Sequence, residues 1–62
     1  MDPDANLAEQ LRLARGMQEL SDADTAGADE ELIDQGLRIA ELVIALNDWV
    51  RSGGYLPKAW QH

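Results

Sequence analysis

Two adjacent apolar rows run along residues 32–50 and constrain the fold more than any other feature of the chain. The first row consists of Leu32, Gly36, Ile39, Val43, Leu46 and Val50. The second row, one position later, consists of Ile33, Leu37, Ala40 and Ile44. At about 100° per residue, one such row is the face that an amphipathic helix gives its core. Two rows are wider than one neighbouring helix covers, which predicts a helix that packs on two sides.

The remaining periodicity predicts an all-α, antiparallel two-helix hairpin that forms a single domain over residues 1–62. The first helix is expected over residues 5–20, capped by Asn6 with Glu9 reaching back to it. Small and acidic residues predict a linker over 21–27. The second helix is expected over 28–52, where Gly53 and Gly54 favour a left-handed stop, and a C-terminal tail follows over 53–62.

The aromatic residues gather at the C-terminal end. A first helix of residues 5–20 is too short to reach the last turns of the second helix, so the tail is the obvious cover for them. We expect an aromatic tail cluster formed by Trp49, Tyr55, Leu56 and Trp60. Such clustering is typical of a miniature core. The alternative is an exposed aromatic anchor for a binding partner, since tryptophan and tyrosine are favoured at interfaces.

The second apolar row predicts self-association. It still needs cover when the first row packs on the first helix. The simplest closed arrangement is a two-fold dimer of hairpins that forms a four-helix bundle. The predicted oligomer interface consists of Ile33, Gly36, Leu37, Ala40 and Ile44. A monomer with the tail wrapped along the second row is the alternative.

The charge of the chain is strongly acidic. Twelve acidic residues oppose five lysines and arginines, for a formal net charge of −7. This charge would repel a phosphate backbone, so we expect no nucleic-acid partner. The simple interpretation is solubility. The functional interpretation is an acidic face that binds a basic protein partner. Its candidates are Glu31, Asp34, Glu41 and Asp48, with Arg38 placed to pair with Asp34 or Glu41.

Motifs for metal binding and catalysis are incomplete. Asp22, Asp24 and Gly27 match three positions of an EF-hand loop, but Ala26 and Ile33 stand where two further ligands belong. The chain has no cysteine and one histidine, His62. No serine or threonine has a predictable base beside it, as a nucleophilic mechanism requires. We therefore expect a protein that is not an enzyme and has no metal and no cofactor.

The sequence also predicts a cytoplasmic location. The longest unbroken apolar run, residues 42–46, is too short to span a bilayer. The acidic start of the chain lacks the apolar stretch of a signal peptide. We therefore expect no membrane association.

The segment DWVRSGGYLPKAW, residues 48–60, resembles a C-terminal pattern of short helical proteins of actinobacteria and their phages. Those proteins mostly have no assigned activity, so the resemblance implies a phage or bacterial setting and transfers no site residue. The expected function is a non-enzymatic assembly or adaptor protein that acts through protein–protein interaction. The alternative is an inhibitor or regulator whose acidic surface occupies a basic site on a host or cellular protein.

Overall fold

The computed structural model describes residues 1–23 and 28–61, and this part of the chain contains two α-helices and no β-strand. Helix α1 spans Pro3–Ala23 and helix α2 spans Ala28–Arg51, and the two pack against each other. A short 3-10 turn, Lys58–Trp60, follows. The prediction of an all-helical hairpin is confirmed.

Helix α1 begins earlier than predicted, and its cap is a different residue. Pro3 occupies the first helical position, and the carboxylate Oδ1 of Asp2 accepts a hydrogen bond from the Ala5 amide at 3.1 Å. Proline is favoured at this position because its missing N–H would have no helical partner, and aspartate is a strong cap. The predicted cap at Asn6 is therefore wrong, because Asn6 lies inside the helix.

The remaining helix ends lie within three residues of their predicted positions. Helix α1 continues to Ala23, so the first part of the predicted 21–27 linker is helical. The rest of that linker, 24–27, lies outside the described residues. Helix α2 ends at Arg51, one residue before the predicted end. Gly53 follows with a φ of 97°, and its amide donates to the Val50 carbonyl at 3.1 Å. This left-handed glycine is the helix stop expected from the sequence.

The core between the helices is thin. Apart from two buried prolines, the buried hydrophobic side chains of the described residues are Leu42 and Leu46, which are 7% and 3% exposed. The contact between α1 and α2 also contains one buried polar residue of the described part of the chain, Asn6. Its side-chain amide donates to the Leu42 carbonyl at 3.0 Å, and its Oδ1 accepts from Gln10 at 2.6 Å. The principal-axis extents of 43 × 21 × 12 Å show a layer of about one helix diameter.

Candidate interaction surface

The second apolar row of α2 is exposed to solvent. Its large side chains, Ile33, Leu37 and Ile44, are 61%, 62% and 61% exposed, and Ala40 between them is exposed as well. At about 100° per residue, these four residues share one line on α2, roughly opposite the line that contains Leu42 and Leu46. We call these four residues the α2 stripe. Helix α1 therefore covers one side of α2, and the α2 stripe faces away from it.

Gly36 belongs to the contact between α1 and α2 rather than to the α2 stripe. A Cβ built on Gly36 would lie 3.8 Å from the Cε of Met17, which is ordinary van der Waals contact. Gly36 is also half-buried. The sequence alone places Gly36 in the predicted oligomer interface, whereas in the structure Gly36 lies next to Met17 of the same chain.

The four predicted acidic residues of α2 are all exposed: Glu31, Asp34, Glu41 and Asp48. Asp34, Glu41 and Asp48 follow one edge of the α2 stripe, and we call them the acidic edge. Glu31 lies about 80° further round the helix from the centre of that edge. The predicted face is therefore an edge of three residues with Glu31 apart from it.

Arg38 joins the two helices through a carboxylate that sequence reasoning missed. Its Nε donates to Glu9 Oε2 at 2.8 Å, and a second bond from Nη2 reaches Glu9 Oε1 at 3.3 Å. Its Nη1 donates to Glu41 at 3.1 Å, as expected from their spacing, while the described ion pairs of Arg38 do not include Asp34. The hydrogen bond from Arg38 lowers the pKa of Glu9 below its ordinary value.

Of the predicted aromatic tail cluster, Tyr55 packs on the end of α2 against Trp49. The indole Nε1 of Trp49 donates to the Tyr55 carbonyl at 3.0 Å, and the two rings meet edge to face at 5.5 Å and 87°. A Cβ built on Gly54 would overlap the Trp49 ring, so the tail can pass this closely only with glycine at that position. Tyr55 is 60% exposed and Leu56 is 39% exposed.

The tail then returns to the start of α1. Pro3 and Pro57 are both fully buried, and the Lys58 amide donates to the Asp4 carboxylate at 2.6 Å. The Lys58 amide therefore attaches the C-terminal segment to the first turn of α1. Sequence reasoning assigned the tail to α2, and the hydrogen bond to Asp4 carried no sequence signal because it joins residues 54 positions apart.

Trp60 lines a shallow groove of about 230 Å³, and the aromatic ring pair found in the described residues, Trp49 with Tyr55, does not include it. The groove is lined by Gln10, Val43, Leu46, Asn47, Val50 and Trp60. Trp60 is 46% exposed and Val43 is 46% exposed, so apolar surface remains open there. The groove offers two amide side chains and no titratable group, so its chemistry suits contact with apolar surface rather than catalysis.

A second groove, formed by residues of α1 and one residue of α2, is polar. It is lined by Ala8, Arg12, Leu13, Arg15, Gly16, Glu19 and Gln35. The Oε1 atom of Gln35 is buried there, close to Gly16, and has no hydrogen-bond donor among the described residues. Gln35 itself is only half-buried, so this atom does not define a ligand site.

Metal-ligand clusters of three or more histidine, aspartate or glutamate side chains do not occur in residues 1–23 and 28–61. Of the partial EF-hand pattern, Asp22 lies in the last turn of α1. Asp24, Ala26 and Gly27 lie outside the described residues, as does His62. Neither α1 nor α2 is long and apolar enough to cross a membrane.

Comparison of the chain with protein-family models, with curated proteins and with solved structures finds no match. Interpretation of the surface therefore depends on the geometry described above.

Proposed function

We propose that this chain is a non-enzymatic assembly or adaptor protein that acts through protein–protein interaction and self-associates through α2. The observation that carries the proposal is the α2 stripe, whose isoleucines and leucine are 61–62% exposed in one line. Single exposed apolar residues are ordinary, but an aligned row of them is typical of an interaction surface.

The energetic cost of leaving the α2 stripe in water supports a partner. Full burial of an isoleucine or leucine side chain contributes about 1.5–3 kcal/mol. At three-fifths exposure, Ile33, Leu37 and Ile44 each forfeit about 1–2 kcal/mol. A partner that covers the row recovers this free energy for all three residues at once.

The small core supports the same proposal, because it limits the stability of a single folded chain. A chain of 62 residues has little apolar surface to bury, and small domains of this size commonly need a disulfide, a metal or a partner subunit. The chain has no cysteine. A second copy would double the number of helices and supply the missing cover for the α2 stripe. Four helices result, with the two α2 helices at the centre and each α1 on the outside.

The alternative function is an inhibitor or regulator whose acidic surface occupies a basic protein site. Asp34 and Asp48 are exposed and suit such a contact. Glu41 is less suited, because Arg38 donates to it at 3.1 Å and neutralises part of the local charge. The α2 stripe therefore supports self-association more strongly than the acidic edge supports binding to a basic protein site.

Thermal unfolding at several protein concentrations tests the proposal. Dimers unfold at a higher temperature when more concentrated, because dissociation is coupled to unfolding. We expect this dependence for the unaltered chain and its loss in Ile44→Glu. Ala45→Glu is the matched control, since Ala45 is exposed on α2 outside the α2 stripe. A melting temperature that is independent of concentration, with equal behaviour of the two variants, would contradict self-association.

A further inference from the structure

We infer that the α2 stripe and the acidic edge together form the docking site for an amphipathic helix of another protein, one that carries lysine or arginine along one side. This inference rests on the proposed function, because it uses the α2 stripe as the contact surface. It adds the chemistry of a partner that takes the place of the second copy. The observations that carry it are the exposure of the α2 stripe and the different charges of its two sides.

The two sides of the α2 stripe differ in charge. On one side lies the acidic edge, whose three residues follow one another at every seventh position, or about 10 Å apart along α2. On the other side lie Val43 and Val50, which carry no charge and line the groove that contains Trp60. A helix that lies along the α2 stripe therefore meets three carboxylates on one flank and apolar surface on the other.

The carboxylates of the acidic edge are exposed, and two of them have no ion pair. Asp34 and Asp48 form none in the described part of the chain, and Glu41 accepts a hydrogen bond from Arg38 at 3.1 Å. Arg38 also donates to Glu9 of α1, so its charge is shared between two carboxylates. The acidic edge therefore retains a negative charge. Lysine and arginine at the flank of a partner helix pair with such an edge, as they do in coiled coils.

A second copy covers the α2 stripe but offers no cation to the acidic edge. In an antiparallel pair, Asp34 lies near Glu41 of the second copy. Asp48 lies near Glu30 of the second copy in the same arrangement. In a parallel pair, the acidic edge meets the uncharged side of the second copy together with its Asp29, and no basic residue lies there. A helix with equal apolar surface and a basic flank therefore binds more tightly than the second copy.

The charge of the whole chain acts in the same direction at longer range. Its net charge of −7 attracts a basic helix before contact is made, and salt weakens this attraction. The same charge repels a second copy and repels an acidic helix with the same apolar residues. The apolar contact therefore contributes affinity for any amphipathic helix, and the acidic edge selects the basic one.

Titration with synthetic helical peptides tests this inference. The probe is a peptide of about three heptads, the length of α2, with leucine at the core positions, lysine at the flanking positions and glutamine elsewhere. The control peptide has glutamate in place of lysine. Like charges keep either peptide from pairing with itself. Isothermal titration calorimetry with the full chain measures both affinities, and sedimentation equilibrium measures the mass of the complex.

Two variants of equal net charge separate the acidic edge from general attraction. The edge variant combines Asp34→Asn, Glu41→Gln and Asp48→Asn. The control variant combines Glu19→Gln, Asp22→Asn and Glu31→Gln, all exposed and outside the acidic edge. Each variant keeps nine of the twelve acidic residues against five basic ones, for a net charge of −4. We expect the edge variant to bind the lysine peptide about tenfold more weakly than the control variant, because it loses up to three exposed ion pairs.

The expected result for the unaltered chain is that the lysine peptide binds and converts the dimer into a complex of one chain with one peptide, whereas the glutamate peptide does neither. No binding of the lysine peptide, or binding that leaves the two copies together, would overturn the inference. Equal affinity of the edge and control variants for the lysine peptide would overturn it as well. A monomeric mass of the unaltered chain before peptide is added would contradict self-association. The difference between the two variants would then still test the docking site.

Discussion

The side-chain amide of Asn6 in α1 donates a hydrogen bond to the backbone carbonyl of Leu42 in α2, at 3.0 Å, inside the buried contact between the helices. Asn6 is 8% exposed, and its own oxygen accepts from Gln10 at 2.6 Å. A buried polar side chain with both donor and acceptor satisfied fixes the relative position of two helices, because any shift along the axis leaves a group unpaired.

We expect Asn6→Ala to lower the free energy of unfolding by about 1–2 kcal/mol, since a buried hydrogen bond is lost and Gln10 loses its partner. Urea unfolding at fixed protein concentration measures the change. Gln18→Ala, on the exposed side of α1, is the matched control and should have little effect. Equal stability of the two variants would show that the hydrogen bond to Leu42 contributes nothing.

Gly36→Ala should stabilise the protein and leave its oligomeric state unchanged. The new methyl group would lie 3.8 Å from the flexible end of Met17, and alanine is preferred over glycine inside a helix by about 0.8–1 kcal/mol. Thermal unfolding and light scattering measure the two properties. Dissociation of the assembly by this variant would show that Gly36 belongs to the contact between copies, as the sequence alone suggested.

Gly54→Ala should destabilise the protein, because the added methyl group overlaps the Trp49 ring and the tail must move away. Overpacking of this kind typically costs about 1–3 kcal/mol. The fluorescence of Trp49, with Trp60→Phe as the background, reports the displacement directly. An unchanged emission spectrum together with unchanged stability would contradict the observed contact between the tail and α2.

The pairing of Glu9 with Arg38 should make stability depend on pH. The pKa of Glu9 is lowered in the folded protein by the hydrogen bond from Arg38. A carboxylate with a lowered pKa stabilises the folded state above its ordinary pKa and loses that contribution as the pH falls through the lowered value. Glu9→Gln should therefore be less stable than the unaltered chain at pH 7, and the difference should disappear in acid.

Denaturant unfolding across the acid range measures this difference, with Glu19→Gln as the control for an exposed carboxylate of α1 without an ion pair in the described part of the chain. The side chains of Arg38 and Glu9 are 50% and 30% exposed, so water screens the pair and the effect at pH 7 should be small. A difference that grew as the pH fell would contradict the assignment of Arg38 as the cause.

Asp4→Ala should release the tail from α1. The Lys58 amide donates to the Asp4 carboxylate at 2.6 Å, and this bond joins the two ends of the chain. We expect faster hydrogen exchange at the Lys58 amide in this variant, with much of the protection kept in Asp4→Asn, which retains an acceptor oxygen. Equal exchange in the unaltered chain and Asp4→Ala would show that Asp4 does not hold the tail.

Hydrophobic periodicity was enough to predict the helical hairpin and the bare second row, because both follow from the spacing of apolar residues along one helix. It placed the cap at Asn6 because asparagine is a good cap in isolation. The structure uses Asp2 there and buries Asn6 against Leu42, a contact that exists only once α2 is present.

The hydrogen-bond partners of Glu9 and Asp4 also could not be predicted from the sequence. Helical spacing reveals neighbours three or four residues apart, such as Arg38 and Glu41, whereas Glu9 meets Arg38 and Asp4 meets Lys58 only through the relative placement of separate segments. Gly36 lies between the two apolar rows of α2, so the sequence does not show whether it faces α1 or a partner. Its proximity to Met17 shows that it lies on the side of α2 that faces α1.

Sedimentation equilibrium of the unaltered chain tests the central claim, self-association through the α2 stripe, most directly. At tens of micromolar protein, about the range in which a micromolar complex is populated, we predict a mass twice the 6.8 kDa of one chain. Ile44→Glu should reduce that mass to a single chain, while Ala45→Glu should not. A mass of 6.8 kDa for the unaltered chain throughout this concentration range would contradict the account.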